Sequence, residues 1–62
     1  MDEATVLIVD DEGAIRDMLR MALEIADFRC IEADNIHDAY TLVVDERPDL
    51  VLLDWMLPGG SG

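Results

Sequence analysis

The sequence predicts an α/β fold, a βαβαβ unit on a parallel sheet. Two observations carry this reading. Thr5–Val9 and Leu50–Leu53 are short apolar runs that each stop abruptly at aspartate, Asp10 and Asp54. The residues between them hold apolar positions at helical spacing around one loosely alternating stretch.

The first run, Thr5-Val-Leu-Ile-Val9, is β-branched and uniformly apolar, the pattern of a strand buried on both faces. From Ala14 to Ala26, the residues Ile15, Met18, Leu19, Ala22, Ile25 and Ala26 form one helical stripe. Asp11 and Glu12 stand at its start, where negative charge suits the helix dipole. Arg16, Asp17, Arg20 and Glu24 are expected to point away from the stripe, with Arg20 and Glu24 a weak surface pair. Asp27 breaks the pattern, and Phe28–Ala33 alternates as a short second strand.

Asn35 is placed as an N-cap, with Asp38 at the third helical position as in a capping box. Ile36, Ala39, Tyr40 and Val43 make the second helical stripe, and Pro48 stops that helix or follows just after its end. Leu50–Leu53 is the third strand, and Trp55–Gly62 reads as loop. Such alternation implies parallel pairing, right-handed crossovers and helices on both faces.

Charge and length narrow the function. Fifteen of 62 residues are Asp or Glu, four are Arg and none is Lys, giving a net charge of −11. So acidic a surface repels nucleic-acid phosphates and anionic lipid, so neither is expected as a partner. No apolar run approaches the ~20 residues of a membrane span. The first residues lack a basic secretory leader, so a cytoplasmic location is expected. At 52% apolar the chain is not a disordered acidic tail. A chain this short buries only ~60% of its unfolded surface. Cys30 and His37 are the only residues of their kinds, so neither an internal disulfide nor a structural zinc site is available.

In an open parallel sheet, ligands bind beyond the carboxyl ends of the strands, where strand order reverses. If the first and third strands are neighbours, Asp10, Asp11 and Asp54 share one pocket. Two carboxylates ~4 Å apart repel by roughly 4 kcal/mol at the effective dielectric of a protein surface. Protonation or a bound divalent cation could relieve this, and hard oxygen donors with no His or Cys nearby suit Mg²⁺. One carboxylate could then serve as a nucleophile toward phosphorus. Against this, a single Asp at a strand end more often caps a turn.

Val6-Leu-Ile-Val-Asp-Asp-Glu12, Ile15-Arg16, Leu50-Val-Leu-Leu-Asp-Trp-Met-Leu-Pro58 and Gly62 together resemble the receiver domain of bacterial two-component response regulators, and especially its phosphate-regulon branch. The resemblance runs from about Thr5 to Gly62. It implies the first half of a flavodoxin-like doubly wound sheet, with its three strands in the order 2-1-3. It implies Asp54 as phosphoacceptor, Asp11 as a direct Mg²⁺ ligand, Asp10 as a ligand largely through water, and the Met56 backbone carbonyl as a further ligand. Pro58 would fix the loop that follows. It implies a sensor histidine kinase as partner and transcription control as output of the intact parent.

Residues 1–62 are accordingly expected to be the N-terminal portion of a receiver domain, cut after the third strand and its loop. The family's later Ser or Thr and Lys, which neutralise phosphoryl oxygens, have no counterpart here, so the chain by itself is not expected to be an enzyme. Its third strand is expected to be an open apolar edge, which gives the alternative reading: a non-enzymatic half-domain that forms a homodimer through that edge. A metal-dependent phosphatase is a weaker fit, because Asp10-Asp-Glu12 is a poor match to Asp-x-Asp. Cys30 reads as a small buried hydrophobe and His37 as solvated.

Overall fold

The computed structural model describes residues 3–53. The elements are β1 (Thr5–Val9), α1 (Gly13–Ile25), β2 (Arg29–Ala33), α2 (Ile36–Glu46) and β3 (Leu50–Leu53). The three strands are parallel, as the sequence predicts, and lie in the order β2-β1-β3 that the family resemblance implies. Val9 lies level with Ala33 on one side and with Leu53 on the other.

The first strand is central, and its composition follows from that place. Val6, Leu7, Ile8 and Val9 are each no more than 1% exposed, covered on both faces. Burying each of these side chains contributes about 2 kcal/mol. Leu7, Val9 and Ala33 pack with Ala39 of α2, and half-buried Ile31 and Leu42 complete that layer. Side chains alternate along a strand, so Val6 and Ile8 face the opposite layer, where α1 lies. At the base of the sheet Thr5 and Asp49 exchange two hydrogen bonds. The Thr5 N–H donates to the Asp49 carboxylate at 2.7 Å, and the Asp49 N–H donates to the Thr5 carbonyl at 2.8 Å.

Each helix end has a local cause. Asp27 is left-handed at φ 68°. The Phe28 N–H donates to the Leu23 carbonyl and the Asp27 N–H to the Glu24 carbonyl, both at 3.0 Å. This is a Schellman closure. It uses the Phe28 N–H, so β2 begins at Arg29 rather than at Phe28. The start of α2 is capped as expected: the Asn35 side chain accepts from the Asp38 N–H at 2.8 Å. The reciprocal half differs from a capping box, because Asp38 accepts from the Asn35 side-chain amide at 3.1 Å. Arg47 ends α2 in the left-handed region.

The helix faces depart from the sequence reading in two ways. On α1, Ile15 and Leu19 turn inward, but Met18 is 59% and Ile25 83% exposed. Arg16 and Arg20, expected to point away, lean over β2 instead and pair with Glu32. Arg20 therefore pairs with Glu32 and Asp17, and no Arg20–Glu24 pair forms among the described residues. Long charged side chains can lay their methylene stems along a core, which a count of apolar positions cannot register. On α2 the inward residues are Ala39 and Leu42, and Ile36, Tyr40 and Val43 face outward. The small Ala39 side chain lets the helix backbone approach the sheet closely.

Candidate functional site at the carboxyl end of the first strand

The crossover from β1 through α1 leads to β2, and that from β2 through α2 leads to β3 on the other side of β1. The first connection runs outward from the central strand and the second runs back past it, so they cross the sheet in opposite directions. The crevice this creates lies between the carboxyl ends of β1 and β3, the place where open α/β sheets bind ligands. Val9 and Leu53 are paired there, and Asp10 and Asp54 are the next residues in the sequence.

Asp10 is 2% exposed and is built into the fold by its backbone. Its N–H donates to the Ala33 carbonyl at 3.2 Å, which extends the β1–β2 pairing past the strand end. Its carboxylate accepts from the Glu12 N–H at 2.9 Å, closing an Asx turn that leads into α1. Its carbonyl accepts from Arg16 Nη1 at 2.6 Å. Among the described residues, no ion pair reaches the Asp10 carboxylate. Asp11 and Glu12 stand exposed beside it.

Among the described residues, one hollow borders Asp10 and another lies beside Arg16 and Glu32. One, of about 360 Å³, is lined by Val9, Asp10, Ile15, Leu19, Leu52 and Leu53, and is largely apolar. The other, of about 240 Å³, is polar and is lined by Arg16, Glu32, Ala33, Asp34 and Asp38.

Of the residues singled out in the sequence, Asp10 and Asp11 stand at this crevice. Asp54, Trp55, Met56, Pro58 and Gly62 lie outside the described residues. Among the described residues, no three acidic, His or Cys side chains cluster closely enough to hold a metal ion by themselves. Asp10 and Asp11 do supply hard oxygen donors of the kind Mg²⁺ takes. His37, at the start of α2, is exposed. Cys30 is half-buried; burial and the nearby Glu24 carboxylate push its thiol above its ordinary range.

The residues that local reading undervalued are Arg16 and Glu32. Glu32 accepts from Arg16 Nε at 3.1 Å and from Arg20 Nη1 at 2.7 Å, one arginine on each carboxylate oxygen. Arg16 stands within the resembling segment, which was the available signal. Its partner is 16 residues away on another element.

Comparison with known proteins agrees with this geometry. Residues 6–62 match the response regulator receiver domain family. The chain is 59% identical over 58 residues to the phosphate regulon transcriptional regulatory protein PhoB of Pseudomonas aeruginosa, covering 94% of the chain and 25% of that protein. It is 47% identical over 57 residues to PhoB of Escherichia coli K12, covering 92% and 25%. It is 43% identical over 61 residues to the transcriptional regulatory protein ResD of Bacillus subtilis, covering 98% and 25%. The chain spans about a quarter of the length of these relatives. With its strand order, its buried strand-end aspartate and this match, the chain belongs to the response regulator receiver domain family.

Proposed function

We propose that the chain carries the acidic, phosphate-accepting half of a two-component receiver, with Asp54 as phosphoacceptor. Asp10, Asp11, Asp54 and the Met56 carbonyl would hold Mg²⁺. The observation that carries this is the buried Asp10 carboxylate at the strand-order reversal, beside exposed Asp11 and one residue past the Val9–Leu53 pair that ends β3. When bound, Mg²⁺ would neutralise phosphoryl oxygens approaching the acidic cluster. Asp54 would then attack phosphorus through one carboxylate oxygen. An O–P bond forms, and the bond from phosphorus to the donor's histidine nitrogen breaks. The histidine keeps the electron pair.

The donor in the intact parent would be a sensor histidine kinase, and the output transcription control in the cytoplasm; two of the relatives are named for phosphate-regulon transcription. Residues 1–62 would form the first three strands of the receiver. They hold no lysine, so acetyl phosphate with Mg²⁺ should leave little stable adduct on this chain, read by intact mass.

The direct test is a MgCl₂ titration read by Trp55 fluorescence. The signal should shift with Mg²⁺, and Asp11→Asn should weaken the response. No Mg²⁺-dependent change in a chain whose circular dichroism shows it folded would overturn the reading.

The open edge of β3 favours a second reading, self-association. Leu50 is 51%, Val51 43% and Leu53 37% exposed on a strand that pairs with β1 alone among the described residues. Sedimentation velocity separates the two: a compact monomer at all concentrations argues against this reading, and a dimer supports it.

A further inference from the structure

We propose that Arg16 is a positioning residue for the Asp10–Asp11 peptide, and through it for the acidic site. The inference rests on the reading above only for its metal arm. Arg16 is held from three directions. Its Nε donates to Glu32 at 3.1 Å, its Nη1 donates to the Asp10 carbonyl at 2.6 Å, and its backbone N–H donates to the Glu12 carbonyl at 3.1 Å. The Arg16 and Glu32 side chains are only 21% and 22% exposed, so the guanidinium is shielded from water. The second Glu32 oxygen is taken by Arg20, which fixes the carboxylate that anchors Arg16.

The peptide bond is planar. The carbonyl of Asp10 therefore lies in one rigid plane with the nitrogen and Cα of Asp11. Holding that oxygen with a charged donor sets the direction in which Asp11 leaves the strand. The Glu12 N–H, bound to the Asp10 carboxylate, closes the same ring from the other side. Arg16 is thus the one side chain among the described residues that spans the end of β1, the first turn of α1 and the end of β2. Lysine could not do this, because one ammonium lacks the fork that serves two acceptors in different directions. Groups that orient a metal ligand from behind typically change metal affinity 10–100-fold when removed.

A merely structural tie between α1 and β2 would make both ends of the link equivalent, and that separates the two roles. Arg16→Met removes the contact to Asp10. Glu32→Gln weakens the anchor and leaves Arg16 able to reach the carbonyl. Both should lower stability in urea. Arg16→Met should weaken Mg²⁺ binding about tenfold by Trp55 fluorescence, and Glu32→Gln by less than about threefold. A metal-free readout is hydrogen exchange at the Glu12 amide. It should quicken about tenfold more than the mid-helix amides of Leu19 to Leu23 in Arg16→Met. Equal losses of Mg²⁺ affinity in the two variants, or Glu12 exchange that only follows global stability, would overturn the proposal. If wild type gives no Mg²⁺ response while Glu12 protection depends on Arg16, the metal reading falls and the positioning role stands.

Discussion

Replacing Asp27 by glycine should stabilise the chain, and the gain can be worked out from the turn. Asp27 sits at φ 68° in the Schellman closure of α1. A left-handed residue with a Cβ costs roughly 1–2 kcal/mol, with aspartate at the low end. Its carboxylate also lies at the negative end of the helix dipole, which adds roughly 0.3–1 kcal/mol of repulsion. Glycine removes both but gives the unfolded chain more freedom, at a cost of about 0.5–1 kcal/mol. The net gain is about 1 kcal/mol. In a domain this small that raises the Tm by ~4–8 °C, followed by circular dichroism at constant pH and salt. Asp27→Asn removes the charge and keeps the Cβ, so it should recover about half of the gain. Asp27→Ala also removes the charge but bears the full left-handed cost that aspartate and asparagine soften, so the two effects offset and it should gain little. An alanine variant as stable as the glycine variant would refute the backbone explanation.

Two further outcomes follow from the core and from Cys30. Leu7→Ala empties the centre of the α2 layer, where Leu7 is 0% exposed, and should cost about 3 kcal/mol, most of the stability of so short a chain. A urea midpoint lowered by less than a quarter would show that the layer collapses into the space. Cys30 should react with iodoacetamide more slowly in the folded chain than in urea at pH 8, because burial and Glu24 hold its thiol protonated. A thiol raised in this way favours the folded state fully below its unfolded pKa. That contribution is lost as pH rises through the folded value. Equal alkylation rates would contradict the half-buried placement.

The fold was legible because the central strand carries an unambiguous signal. Val6 to Val9 is apolar at every position, which only a strand covered on both sides requires. The matching run at Leu50–Leu53 and the intervening helical spacing then set the alternation of strands and helices, while the strand order rests on the family resemblance. The Asn35 cap was equally local. The helix faces were less legible. Periodicity ranks side chains by polarity, so Met18 and Ile25 scored as core and Arg16 as surface. The placement of Arg16 depends on Glu32, which offers a charge beneath α1. At the site, Asp10 and Asp11 could be singled out because a pair of carboxylates directly follows the apolar first run. That Asp10 is buried, with its carboxylate turned to the Glu12 N–H, depends on the backbone path of one turn, which residue spacing does not specify.

The paired hydrogen bonds of Thr5 and Asp49 join residues 44 positions apart at the base of the sheet, remote from the Asp10 carboxylate. They act as a gauge block for the strand that follows. Between Asp49 and the end of β3 lie only the four residues Leu50–Leu53, a rod of ~13 Å with no slack for adjustment. A slip of one residue would turn Val51 and Leu53 toward the wrong layer and set a different residue level with Val9. The height at which β3 delivers its last residue beside Asp10 is thus calibrated at the opposite edge of the molecule. A substitution at Asp49, far from any phosphate or metal, would detune the site by misaligning the rod rather than by touching its chemistry.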